Sequence, residues 1–86
     1  MLIKLNVETR KGRSGIEARS PQLRLTSHGI EEYEALESLK RGIMAWCRNL
    51  NSIGKLEQIL KHKKIQTESN GDSIIIDFSI DSRCTD

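Results

Sequence analysis

Aromatic side chains are scarce: Tyr33, Trp46 and Phe78 make up 3% of the 86 residues. Without interleaved aromatics, stacking on single-stranded bases has no platform. Cys47 and Cys84 are the only cysteines, far apart and without CxxC spacing, and His28 and His62 do not complete a ligand set with them. That argues against a disulfide framework and against a zinc site, leaving two reduced thiols. No apolar run approaches the roughly 18 residues of a membrane span, and Met1-Leu2-Ile3-Lys4 lacks the apolar core of a signal peptide. The expectation is a soluble cytoplasmic protein with no membrane partner. An excess of one charge is lacking too. Fourteen basic residues face 12 acidic ones, a formal +2, which neither demands nor excludes a polyanion.

Hydrophobic residues make up 36% of the chain and charged residues 30%, enough apolar content for a folded core rather than a disordered segment. The length fits one domain, expected over residues 1–80 with a flexible tail at 81–86. A chain this short buries only about 60% of the surface its unfolded form exposes. Size alone therefore points to an oligomer or a partner.

The first stretch alternates. Ile3, Leu5 and Val7 fall on one face and Lys4, Asn6 and Glu8 on the other, the period of a half-buried strand. The polar run from Arg10 to Gly15 supplies two glycines for a hairpin turn. A second strand sets Ile16, Ala18 and Ser20 against Glu17 and Arg19, and Pro21 marks its end. Leu23 and Leu25 alternate with Arg24 and Thr26 in a short third strand, closed by Ser27-His28-Gly29.

The period changes at about Ile30. Tyr33, Leu36, Leu39, Ile43, Trp46, Cys47 and Leu50 recur every three or four residues, the stripe of an amphipathic helix. Glu31, Glu32 and Glu34 open it and Lys40, Arg41 and Arg48 follow, the order that complements the helix dipole. Gly42 costs up to about 1 kcal/mol against Ala in mid-helix, so close packing against the sheet is expected there. After a break at Asn51-Ser52, a shorter helix over residues 53–63 presents Leu56, Ile59 and Leu60. Asn70-Gly71-Asp72 signals a turn. Ile74, Ile75, Ile76, Phe78 and Ile80 then form a last strand that is apolar on both sides at its start, as in a central strand or one at an oligomer interface. The order β-β-β-α-α-β predicts an α+β fold: an antiparallel three-stranded sheet plus a last strand, with the long helix packed on one face.

Candidate chemistry is sparse. His28 and His62 lack an arranged nucleophile or ligand set, and no catalytic, cofactor-binding or metal-binding residue is assigned. The glutamates Glu31, Glu32, Glu34 and Glu37 read as helix-dipole and solubility residues before they read as a cation site. Two basic patches remain: Arg10, Lys11 and Arg13 on the first hairpin, with Arg19 and Arg24 on the outer face of the sheet, and Lys61, Lys63 and Lys64 at the end of the second helix. With no recognition helix and no aromatic platform, specific DNA binding is not expected. Across the strands, Glu8 and Asp77 are the two acids that would meet if the first and last strands pair.

One resemblance spans about residues 1–65. The run Ile16-Glu17-Ala18-Arg19-Ser20-Pro21-Gln22-Leu23, then Ser27-His28-Gly29, then the helix segment from Glu34 to Ile43 resembles the HicB-like antitoxin family. The matching positions are Ala18, Pro21, Leu23, Gly29, Glu34, Ala35, Leu36, Leu39 and Ile43. Departures are Ser20 where the family often has Cys, Arg24-Leu25-Thr26 where it has Pro-Gly-Cys, and Glu31 where its helix starts with Thr or Ser. The resemblance implies a partial RNase H-like fold: the toxin-neutralising half of such an antitoxin, without the DNA-binding module that follows in full-length members. It further implies a non-enzymatic protein-interaction domain whose partner is a small basic RNase toxin. Glu31, Glu32, Glu34 and Glu37 are the residues expected at that contact. Two alternatives stay open: an orphan structural or regulatory homo-oligomer with an unrelated protein partner, and an RNase H-like nuclease. A homodimer or dimer of dimers is expected on either non-enzymatic reading, with Ile74, Ile75, Ile76, Phe78 and Ile80 at the interface. The competing outcome is that the first strand pairs with this strand inside one subunit and buries it.

Overall fold

The alternation at the start of the chain decides the layering of the protein. A computed structural model describes residues 1–69, 71 and 73–83, the last two by backbone alone. Strand β1 (Leu2–Gly12) buries Ile3, Leu5, Val7 and Thr9 on one face and turns Lys4, Asn6, Glu8 and Arg10 to the other. Strand β2 (Gly15–Ser20) returns antiparallel to residues 8–12 of β1, and β3 (Leu25–Gly29) continues antiparallel to β2. Helix α1 (Glu32–Ser52) follows, then α2 (Leu56–His62), a three-residue β4 (Gln66–Glu68), and β5 (Ile75–Arg83). The result is a small α+β domain whose sheet has five strands.

Strand β5 runs parallel to β1 from Leu2 beside Ile75 to Arg10 beside Arg83. Both β2 and β4 are antiparallel to β1 and share its opposite edge, β4 at residues 2–4 and β2 at residues 8–12. Between them lies a gap in the ladder. There Gln22 bridges with its side chain, its Oε1 accepting the Asn6 N–H at 2.9 Å. This contact gives an edge amide its partner where no strand reaches it.

Helix α1 buries Ala35, Leu39, Ile43 and Cys47 at a four-residue spacing, with Leu36, Met44, Trp46 and Leu50 packed beside them. Ala18, Leu56, Leu60, Ile65 and Ile76 complete the core. At the other end of β3, an added Cβ on Gly29 would stand 2.6 Å from the Ala35 nitrogen. The helix therefore approaches the strand closely only because Gly29 has no side chain.

Several sequence expectations need correcting. The close packing expected at Gly42 is absent: the residue is exposed and an added Cβ would meet nothing within 4 Å. The third strand starts at Leu25 rather than Leu23, because Arg24 takes a left-handed backbone (φ 57°) that ends the turn from Pro21. Ser27, His28 and Gly29 belong to β3 rather than closing it. Asn51 and Ser52 lie within α1, whose C-cap is Ile53. Tyr33 leaves the apolar stripe for solvent. The strand β4 was not expected. Residues 81–83 continue β5 rather than forming a tail; residues 84–86 lie outside the described residues, as do Asn70 and Asp72 of the expected turn. No helix among the described residues is long and apolar enough to cross a membrane.

Candidate interaction site

The first turns of α1 and the end of β3 form the most featured surface. His28 on β3 lies opposite Glu17 on β2, and its Nε2 stands 3.3 Å from the Glu17 carboxylate. His28 is thus a strand residue with a carboxylate neighbour rather than a loop residue. Around this pair opens a groove of about 680 Å3, lined by Arg10, Lys11 and Ser14 of the hairpin, by Ile16 and Gly29, and by Ile30 and Glu34. A smaller groove of about 330 Å3 adjoins it along α1, between His28, Tyr33, Glu34, Glu37, Ser38 and Arg41. His28 and Glu34 line both, so the two grooves form one continuous surface.

Two apolar side chains stand out on that surface. Ile30 is 79% exposed and Tyr33 71%. Tyr33 sits three residues before Leu36, which made it look like part of the buried stripe. Counted from Ala35, the nearest residue that faces the core, it lies about 200° round the helix. That angle was available from the sequence once the stripe had been anchored on Ala35. Isolated exposed apolar residues are common, but an aromatic and a β-branched side chain beside a groove form a patch of the kind that partners bury.

The four candidate glutamates surround this patch with different duties. Glu31 is the N-cap of α1, with an extended backbone and no side-chain capping bond. Glu32 accepts the buried Thr9 hydroxyl at 3.1 Å, which ties the start of α1 to β1. Its role is at least partly architectural. Glu34 lines both grooves and Glu37 the smaller one. Glu31 and Glu34 are exposed and Glu37 half-buried. The arrangement is an exposed apolar pair beside grooves of mixed charge, where Glu34 and Glu37 stand with Arg10, Lys11 and Arg41; its carboxylates are complementary to Lys and Arg on a partner.

Elsewhere the candidate chemistry comes apart. Glu8 and Asp77 do not meet: the β1–β5 register sets Lys4 beside Asp77 and Glu8 beside Asp81. Two-metal hydrolysis needs more carboxylates than one such pair, and among the described residues no group of three or more His, Cys, Asp or Glu is placed to hold a metal ion. Arg19 projects on the open face as expected, whereas Arg24 sits in the turn before β3. Lys4 is tied to Glu68 at 2.7 Å, and that hydrogen bond, its charge and the nearby Asp77 raise the ammonium pKa above its usual 10.5. Cys47 is buried in the core, where desolvation pushes its thiol up to about 11. A thiol so buried and so far from ionisation is inert at neutral pH. No family model, no curated protein and no solved structure matches the chain.

Proposed function

We propose that the chain is a protein-interaction domain of the HicB-like antitoxin kind, which neutralises a small basic ribonuclease by covering its RNA-binding face. The exposed Ile30 and Tyr33, beside grooves lined by Glu34 and Glu37, carry the proposal. A ribonuclease must present cations to hold phosphates, and these carboxylates compete for those same cations while the apolar pair supplies buried contact area. Two further features support the family reading. Strands β3, β2 and β1 lie in that order with the last strand parallel to β1 and a helix before it, an order compatible with the partial RNase H-like fold that the resemblance implies. The family-matched Gly29 and Ala35 are also the pair that lets α1 close on β3.

The test is recovery of the tagged chain from its native host with the bound protein identified. The expected partner is a small basic protein whose ribonuclease activity falls in proportion to added chain, up to one equivalent. A Tyr33→Ala, Glu34→Lys double variant keeps the fold, since both side chains are exposed, and loses inhibition by at least tenfold. Full inhibition by that variant, or recovery of nothing but further copies of the chain, rejects the reading.

A further inference from the structure

Strand β5 has two edges and only one is used. Its inner edge pairs with β1 along the whole strand, which settles that the first strand does take the last one inside the subunit. Its outer edge meets no strand among the described residues. Ile75 donates its N–H to the Met1 carbonyl at 2.9 Å. The two-residue repeat of a strand then turns the N–H and C=O groups of Ile76, Phe78 and Ile80 outward, away from β1. The same three side chains stand in register with Ile3, Leu5 and Val7, on the helix-bearing face. Helix α1 lies over β2 and β3, so the cover thins towards the outer end of β5. Phe78 is half-buried and Ile80 48% exposed, although Ile76 reaches the core. Neither Pro nor Lys interrupts β5, and its charges, Asp77, Asp81 and Arg83, alternate with Ile76, Phe78 and Ile80, so the apolar row itself carries no device that blunts an edge.

We infer that this edge pairs antiparallel with the same edge of a second copy, about a twofold axis at Phe78, extending one sheet through both subunits. Charge separates the register centred on Phe78 from the one centred on Ser79. Centred on Ser79, the pairing would set Asp77 directly against the partner's Asp81 in both halves, and like charges placed opposite one another destabilise a sheet. Centred on Phe78, it sets Asp77 against the partner's Ser79, Phe78 against the partner's Phe78, and Ile76 against the partner's Ile80. The outward-facing backbone groups of those apolar residues then bond one another, and their side chains form a continuous row across the axis. A second copy is the fitting occupant because the strand is complementary to itself in this register, as a twofold interface requires.

This inference stands apart from the proposed partner, which would occupy the opposite edge of the sheet near β3. Light scattering on the full chain at micromolar concentration, alone in solution, tests it. The expected mass is twice 9.8 kDa. Ile80→Lys gives a monomer with an unchanged circular dichroism spectrum, because that side chain is half-exposed within the subunit. Ser79→Lys places a lysine opposite the partner's Asp77 and tightens the dimer roughly threefold to tenfold, an effect that fades in high salt. A monomeric wild-type chain, an Ile80→Lys variant that dimerises as tightly as wild type, or a Ser79→Lys variant that dissociates would each overturn the inference. The last of these would be the signature of a Ser79-centred axis.

Discussion

A single added methyl has opposite consequences at two glycines of this chain. At Gly42, on the exposed side of α1, an added Cβ meets nothing within 4 Å. Gly42→Ala therefore gains helix propensity and restricts the unfolded chain, with no steric term against it, and should stabilise the protein by about 1 kcal/mol in thermal unfolding. At Gly29 the same group would stand 2.6 Å from the Ala35 nitrogen and 2.8 Å from the Glu34 Cβ. Helix and strand must separate to admit it, and Gly29→Ala should cost about 2 kcal/mol or more. Cys47 carries a prediction about pH. Its thiol keeps its proton in the folded state up to about 11, against an ordinary 9. Between those values the unfolded chain releases the proton and the folded chain does not, so stability falls as pH rises from 9 towards 11, by about 2 kcal/mol from this group. In a Cys84→Ser background, thiol titration at pH 8 should find Cys47 unreactive until denaturant is added, and Cys47→Ala should flatten the alkaline fall.

At the scale of elements, the sheet depends on a side chain as much as on strands. Gln22 covers the Asn6 amide between β2 and β4, so Gln22→Ala should speed exchange of that one amide at least tenfold while leaving those of Leu5 and Val7 protected, as hydrogen exchange read by NMR would show. Loss of protection along the whole of β1 would contradict so local a role. Much of the element order was legible in the sequence. The alternation of Ile3, Leu5 and Val7 and the stripe of Leu39, Ile43 and Cys47 announce their faces because burial imposes a period on them. The strand β4 gave no such signal: Gln66, Thr67 and Glu68 are all exposed, and their pairing with β1 rests on backbone bonds that composition does not record. The parallel direction of β5 was hidden for a similar reason, since the two-residue period is identical in either direction. Of the candidate site's acidic half, Glu31 and Glu34 are exposed, as carboxylates on the outer side of a helix are expected to be, and Glu37 is half-buried. Its apolar half was missed because Tyr33 satisfies a three-residue step to Leu36, and only its place two residues before the buried Ala35 shows that it faces away.

The whole protein is elongated, 42 Å by 19 Å by 19 Å, with a radius of gyration of 13.5 Å against about 12 Å for a compact chain of this length. That shape separates its two basic patches. Arg10, Lys11 and Arg13 sit at the β1–β2 hairpin, while Lys61, Lys63 and Lys64 lie at the end of α2, which packs beside β4 at the opposite end of β1. Nine residues of extended β1 between those levels span about 30 Å, several times the roughly 8 Å over which charges act at physiological salt. The patches therefore act independently, each with about three cations for phosphate. Neither described helix is suited to a DNA groove: α1 buries one stripe against the sheet and begins with carboxylates, and α2 is 7 residues long. The expected outcome is weak binding to duplex DNA that does not distinguish the promoter of the chain's own gene from a scrambled fragment. The logarithm of its affinity should fall against the logarithm of salt with a slope no steeper than about −3. Replacing Arg10, Lys11 and Arg13 by Ala should reduce the affinity of one patch and leave that of the other, a difference that competition with heparin at two salt concentrations would resolve. A sequence-selective retardation at physiological salt, or a slope near twice that value, would mean that the two ends grip one duplex together, and the independence argued from their separation would be wrong.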